Sequence, residues 1–261
     1  MLEVYQPGRW LRISQPNSQA RLRLFCFPYA GGTASIYRLW HQHLPADIEV
    51  CRVQLPGREN RISEVPFTNV QMLAQALVPV LEPFLDKPFA FFGHSMGTLI
   101  AYELTQQLWQ QTGQLPGCLF VSGRRAPNLP AADPPLHSLN RDDEFLAELQ
   151  QRYNQIPQFV LEDAEMRELF LPMLRADLTM AETYLYLERP ELACPIVAFT
   201  GESDHHAPRT DMKAWQGLTK DSFNFHMLPG GHFYLNEQVR PLLEILSSYL
   251  LRVVSGGPIT R

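Results

Sequence analysis

Short apolar runs recur along the chain, separated by stretches with helical spacing. The runs are LRLFCFP (22–28), IEVCRVQLP (48–56), FAFFGHS (89–95), GCLFVSG (117–123), PIVAFTGE (195–202) and FNFHMLPG (223–230). Most are nearly continuous in hydrophobicity, as expected of strands covered by helices on both faces. Candidate helices lie between them, near 35–43, 70–86, 97–111, 208–217 and 236–251. Strands alternating with helices predict an α/β fold with a mostly parallel central sheet flanked by helices.

One stretch breaks the alternation. Residues 124–190 hold no convincing strand but include DDEFLAELQQRY and DAEMRELFLPMLRADLTMAETYLY. Leu146, Leu149 and Tyr153 share one helical face, as do Met166, Leu169, Phe170 and Leu174. Asp142 or Asp163 could start these helices, and Pro127, Pro130, Pro134 and Pro135 mark the entry loop. The pattern predicts a core formed by residues 1–123 and 191–252, with 124–190 inserted as a helical lid over the active-site edge. Residues 253–261 read as a loose tail.

Against this frame the stretch FFGHSMGTLIAYEL (91–104) acquires a meaning. Gly93 and Gly97 flank Ser95 where a strand must turn sharply into a helix. Such a turn exposes the serine hydroxyl and places neighbouring amides at a helix N-terminus, where they can stabilise an oxyanion. A serine nucleophile needs a base, and the base needs an orienting acid. In this arrangement the acid and then the histidine follow the serine along the chain. Asp204 in ESDHHAP follows one predicted strand, and His232 in GHFYL follows the next. Parallel strands share their C-terminal edge, so all three residues are expected together. Asp211 and Glu202 are alternatives to Asp204, and His205 and His206 are rivals of His232. His94 adjoins the nucleophile and is expected to point away and pack. The loop FCFPYAGGTAS, with Gly31 and Gly32, supplies the second half of an oxyanion hole. The expected donors are the backbone amides of Ala30 and Met96.

Composition narrows the function classes. The chain has 261 residues and a formal net charge of −5, which argues against a nucleic-acid binder, since a phosphate-reading surface needs a basic excess. It has neither the basic-then-apolar start of a secretion signal nor an apolar run long enough to span a bilayer, so a cytoplasmic protein is expected. Cys26, Cys51, Cys118 and Cys194 are far apart, without metal-ligand or redox spacing, and read as buried reduced thiols. No histidine pair has metal-site spacing, and neither a metal nor a cofactor is expected.

Several stretches together resemble a known family: FPYAGG (27–32), QLPGRENR (54–61), GHSMG (93–97), LPMLRADL (171–178), GESD (201–204) and GGHFYL (230–235). The chain is similar, from about residue 22 to 250, to the type II thioesterases, the stand-alone editing enzymes of polyketide and non-ribosomal peptide synthesis. The resemblance implies an α/β-hydrolase fold with a helical lid. It assigns catalysis to Ser95, Asp204 and His232 and the oxyanion amides to Ala30 and Met96. It also implies the substrate, an acyl group in thioester linkage to the phosphopantetheine arm of an acyl or peptidyl carrier protein. Because such carriers are usually acidic, Arg58, Arg61, Arg124 and Arg125 are candidates for a docking face, with loop fixation as the alternative. A monomer is expected. A carboxylesterase, an acyltransferase or a catalytically silent binding protein on the same scaffold remain the competing readings.

Overall fold

The computed structural model describes residues 7–13, 15–154, 156 and 158–259. A short helix α1 (Pro7–Trp10) leads into β1 (Leu11–Ile13), then β2 (Leu22–Phe27), β3 (Ile48–Val53), α2 (Val70–Leu81), β4 (Phe89–His94), α3 (Met96–Thr112) and β5 (Cys118–Ser122). The insertion carries α4 (Asp142–Tyr153), α5 (Gln158–Glu162) and α6 (Ala164–Glu182). The core resumes with β6 (Ile196–Gly201), α7 (Arg209–Lys213), β7 (Phe223–Leu228), α8 (Tyr234–Glu237) and α9 (Val239–Ser255).

Among the described residues seven strands form one sheet, in the order β1-β3-β2-β4-β5-β6-β7. Every neighbouring pair is parallel except β1 with β3. The six predicted strands are all present. Their near-continuous hydrophobicity reflects burial on both faces. Phe25, Phe27, Phe91, Leu119 and Val121 enter a core beneath α2 and α3, while Leu24, Cys26, Phe92, Cys118 and Phe120 enter a second core beneath α9. The alternation of side-chain direction along each strand thus feeds two apolar layers at once. Edge-to-face pairs such as Phe27–Phe91, with centroids 5.3 Å apart, fix the first layer. The four cysteines are free and buried among these layers.

Three expectations change. The helix predicted near 35–43 is two 3-10 turns, Ala34–Tyr37 and Trp40–Gln42. Tyr37 and Trp40 are both buried, and residues three apart stack on one side of a 3-10 turn. The edge strand β1 went unread because three residues carry too little alternation to register. The end of the chain is held rather than loose as far as it is described: α9 runs to Ser255, Ile259 is buried, and Asn224 Nδ2 donates to the Ile259 carbonyl at 3.2 Å. Thr260 and Arg261 lie outside the described residues.

The insertion builds a small core of its own from Leu136, Phe145, Leu146, Leu149, Leu171, Leu174 and Leu178, packed against Ala30 of the sheet edge. Asp163 caps α6, its carboxylate accepting from the Glu165 and Met166 amides, whereas α4 is preceded by Arg141, with Asp142 inside its first turn. The inward stripe of α6 runs through Leu171, Leu174 and Leu178, and Leu169 is instead exposed. No helix among the described residues is long and apolar enough to cross a membrane.

Candidate active site

The C-terminal edge of the sheet gathers the chemistry. β4 ends at His94, and Ser95 follows with φ 53° and ψ −116°, a left-handed conformation that non-glycine residues adopt only at a cost. The flanking glycines make this turn possible by what they lack. A Cβ on Gly93 would lie 2.2 Å from the Gly97 carbonyl oxygen, and one on Gly97 would lie 2.2 Å from that of Phe27. The tight turn and the close approach of α3 to β2 both exclude any side chain there.

His232 and Asp204 complete the arrangement. Ser95 Oγ lies 3.1 Å from His232 Nε2, and His232 Nδ1 lies 2.9 Å from Asp204 Oδ2. An ionised carboxylate only accepts, so Nδ1–H donates to Asp204 and Nε2 is left to accept from the serine hydroxyl. The other Asp204 oxygen accepts from the His206 and Ala207 amides at 3.0 and 3.2 Å. Burial alone would raise the Asp204 carboxyl. The hydrogen bond and charge of His232 outweigh it and hold the group below the usual carboxylate range.

The alternatives named from the sequence fall elsewhere. Glu202 and His205 are exposed. Asp211 pairs with Arg125 at 3.0 Å. His206 has a different task, its Nε2 meeting the Arg152 carbonyl at 3.1 Å and its ring packing on Tyr153 at 4.5 Å. It thereby joins the Asp204 loop to the end of α4. His94 is packed, as expected: it is buried, its Nδ1 lies 2.8 Å from Ser122 Oγ, and its ring lies 5.1 Å from that of His232. Burial, then the neighbouring His232, lowers it well below the ordinary imidazole value.

Both expected oxyanion residues, Ala30 and Met96, line the cavity that contains Ser95. Met96 is the first residue of α3, so its amide has no partner within the helix. In the facing loop the Gly31 amide donates to Asp177 Oδ2 at 2.8 Å and the Gly32 amide to the Tyr29 carbonyl at 2.8 Å. Those two amides are therefore already occupied.

The cavity measures about 170 Å³, close to the ~150 Å³ that admits a benzene-sized guest. Its floor comes from Tyr29, Ser95, Arg124 and His232 of the core, and its cover from Leu149, Tyr153, Leu174 and Leu178 of the insertion. Side chains of the insertion and of the core thus line one cavity with Ser95.

Of the four candidate docking arginines, Arg58 and Arg61 are corrected. Arg58 is 2% exposed and makes a bidentate pair with the fully buried Asp177, at 2.7 and 3.0 Å. Arg61 is equally withdrawn, pairs with Glu64 at 2.5 Å and lies over the Trp10 ring at 3.9 Å. Arg125 is held by Asp211, and Arg124 turns into the cavity. Arg58 and Arg61 are thus withdrawn from any docking face, whereas Arg124 and Arg125 remain half-buried. Asp177 is the residue that sequence reasoning passed over, although the LRAD motif that contains it was in view.

A parallel sheet with an inserted helical cover, and a serine, histidine and buried carboxylate joined at its C-terminal edge, define the α/β-hydrolase class. Within it, the chain belongs to the thioesterase domain family, whose model matches residues 22–250. It is 42% identical to the gramicidin S biosynthesis protein GrsT of Aneurinibacillus migulanus over 255 residues, covering 98% of this chain and 99% of that one. Among solved structures it is similar to the type II thioesterase BorB from the borrelidin biosynthetic cluster, with a TM-score of 0.82, 35% identity, and 93% and 96% of the two chains covered. It is also similar to YbtT, a type II thioesterase from the yersiniabactin pathway, with a TM-score of 0.83, 29% identity, and 94% and 99% covered.

Proposed function

We propose that this protein is a type II thioesterase that hydrolyses acyl thioesters from the phosphopantetheine arm of acyl or peptidyl carrier proteins. The observation that carries the reading is the continuous relay from Ser95 Oγ through His232 to Asp204 inside a covered apolar chamber. Its relatives act in peptide and polyketide biosynthetic pathways, and editing of stalled or wrong acyl units is the role that follows.

Ser95 Oγ attacks the thioester carbonyl while His232 Nε2 takes its proton, and Asp204 keeps the imidazole oriented and stabilises its charged form. The oxyanion rests on the Ala30 and Met96 amides, each such donor contributing about 3 kcal/mol. The C–S bond breaks and the thiolate departs, taking the proton from His232. A thiol resembling cysteine has a pKa of about 8.5, so its departure demands less protonation than that of an amine. Water then gives a proton to His232 and attacks the acyl-serine, releasing the free acid and restoring Ser95. Nothing in this sequence calls for a metal or a cofactor beyond the pantetheine that the substrate brings.

The test is the release of carrier thiol from acetyl- and longer acyl-phosphopantetheinyl carrier protein, beside p-nitrophenyl esters of the same acids. Preference for carrier thioesters supports the reading. Turnover of simple esters with carriers left untouched favours a carboxylesterase, and transfer of the acyl group to an alcohol or amine an acyltransferase.

A further inference from the structure

Arg124 is the arginine that lines the cavity around Ser95, and among the described residues it forms no ion pair. The same is true of the half-buried Arg52 and Arg167, but these bond backbone carbonyls and do not line that cavity. Arg23, Arg58, Arg61, Arg125 and Arg189 each reach a carboxylate within 3.0 Å. The one side-chain hydrogen bond of Arg124 among the described residues is from Nη2 to the Ala181 carbonyl, at 2.8 Å. A guanidinium carries five N–H donors. Most of this fork is therefore left facing a chamber whose walls are otherwise mainly Leu149, Ile156, Val160, Leu174 and Leu178. Placing a cation there without a paired anion is unfavourable unless something in the working complex engages it. Burial lowers its pKa from the usual arginine value, in keeping with that cost.

The position is set by the fold. The Ser95 amide donates to the Ser122 carbonyl at 2.8 Å, so the ends of β4 and β5 are joined at the nucleophile. Arg124 follows two residues later and shares the cavity with Ser95 and His232. Glu182 also lines that cavity and attracts Arg124, but its own oxygens already accept from the Leu136 amide at 2.9 Å and from the His137 amide and Nδ1 at 2.8 Å. With a carboxylate nearby, a second anion would be repelled, whereas a neutral oxygen would meet only the unused donors.

We propose that Arg124 is a specificity residue that receives an acyl chain bearing an uncharged oxygen acceptor (keto, hydroxyl or amide) beyond the thioester carbonyl. The proposal rests on the reading of Ser95 as the acyl-accepting nucleophile. The alternative is that Arg124 only ties α6 to the core through Ala181.

The experiment compares butyryl-, 3-hydroxybutyryl-, acetoacetyl- and malonyl-pantetheine with the unaltered protein, Arg124→Met and Arg124→Lys. Arg124→Met is expected to lose at least tenfold more kcat/KM on acetoacetyl- and 3-hydroxybutyryl-pantetheine than on butyryl-pantetheine. Arg124→Lys is expected to recover part of that loss. Equal losses on all four compounds, or no loss, overturn the proposal, and malonyl turned over faster than acetoacetyl overturns the choice of an uncharged oxygen. A second measurement leaves Arg124 in place: Ser95→Ala should bind the acetoacetamide analogue of the thioester at least fivefold more tightly than the butyramide analogue, and equal Kd values count against the proposal. Failure of the unaltered protein to cleave any of the thioesters, butyryl included, refutes the thioesterase reading itself and the proposal with it.

Discussion

Arg58 and Asp177 form a bidentate ion pair that is closed to solvent, and through it three distant segments meet. Asp177 belongs to α6 of the insertion, and Arg58 to the QLPGRE loop after β3. Asp177 Oδ2 also accepts from the Gly31 amide, while Arg58 Nη1 donates to the Gly32 carbonyl at 2.8 Å. The pair thus holds the loop that presents Ala30 to the cavity and fastens the cover to the same point. Position of the cover and geometry of the proposed oxyanion hole are set together.

Breaking one side of this pair leaves a buried charge uncompensated. Arg58→Met is expected to cost about 3–5 kcal/mol in urea unfolding. It should also lower kcat about 10- to 100-fold, because the Gly31 anchor loses its orientation. The double variant Arg58→Met/Asp177→Leu should regain much of the stability but little of the kcat. Full recovery of both would show that the pair has no positioning role.

The glycines of the serine turn should differ sharply from glycines in open space. Gly97→Ala forces a methyl against the Phe27 carbonyl, and a loss of more than about 3 kcal/mol is expected, with little folded protein recovered. Gly113 ends α3 at φ 72° with nothing within 4 Å of an added Cβ, so Gly113→Ala should cost about 1–2 kcal/mol, the local strain alone. Thermal unfolding of both variants in parallel checks the contrast.

Acid should weaken the fold through His94. Its folded pKa is lowered well below the unfolded value of about 6.5, so below that pH the unfolded chain binds a proton that the folded chain refuses. Stability then falls as pH falls, by up to about 1.4 kcal/mol per unit from this group. Asp204 acts in a lower window. Its carboxyl is depressed in the folded state, so its contribution is present above about pH 3.9 and is lost as pH drops through its folded value. Unfolding midpoints at pH 7.5, 6.5 and 5.5 should slope less for His94→Asn than for the unaltered protein, and identical slopes would contradict the assignment.

The strands and the Ser95, Asp204 and His232 positions were readable from the chain because each depends on local order. Continuous apolar runs mark two-sided burial, and residues after successive parallel strands must share an edge. Arg58 and Arg61 were misplaced because a charge in a sequence does not name its partner. Arg58 and Asp177 are 119 positions apart, and only the packed insertion brings them together. The exposure of Leu169 was missed for a related reason: period alone does not say which side of a helix the core will occupy. The uneven satisfaction of Arg124 and Glu182 inside the chamber, likewise, has no trace in spacing or composition.

In the proposed reaction Ser95, activated by His232, cleaves carrier-bound acyl thioesters. Single-turnover release of carrier thiol from acetyl-phosphopantetheinyl carrier protein measures this directly, with the unaltered protein beside Ser95→Ala. The expected result is rapid thiol release that falls by at least about 10³-fold in Ser95→Ala. Equal thiol release by Ser95→Ala, or an unaltered protein that leaves the carrier acylated while cleaving simple esters, would contradict the account.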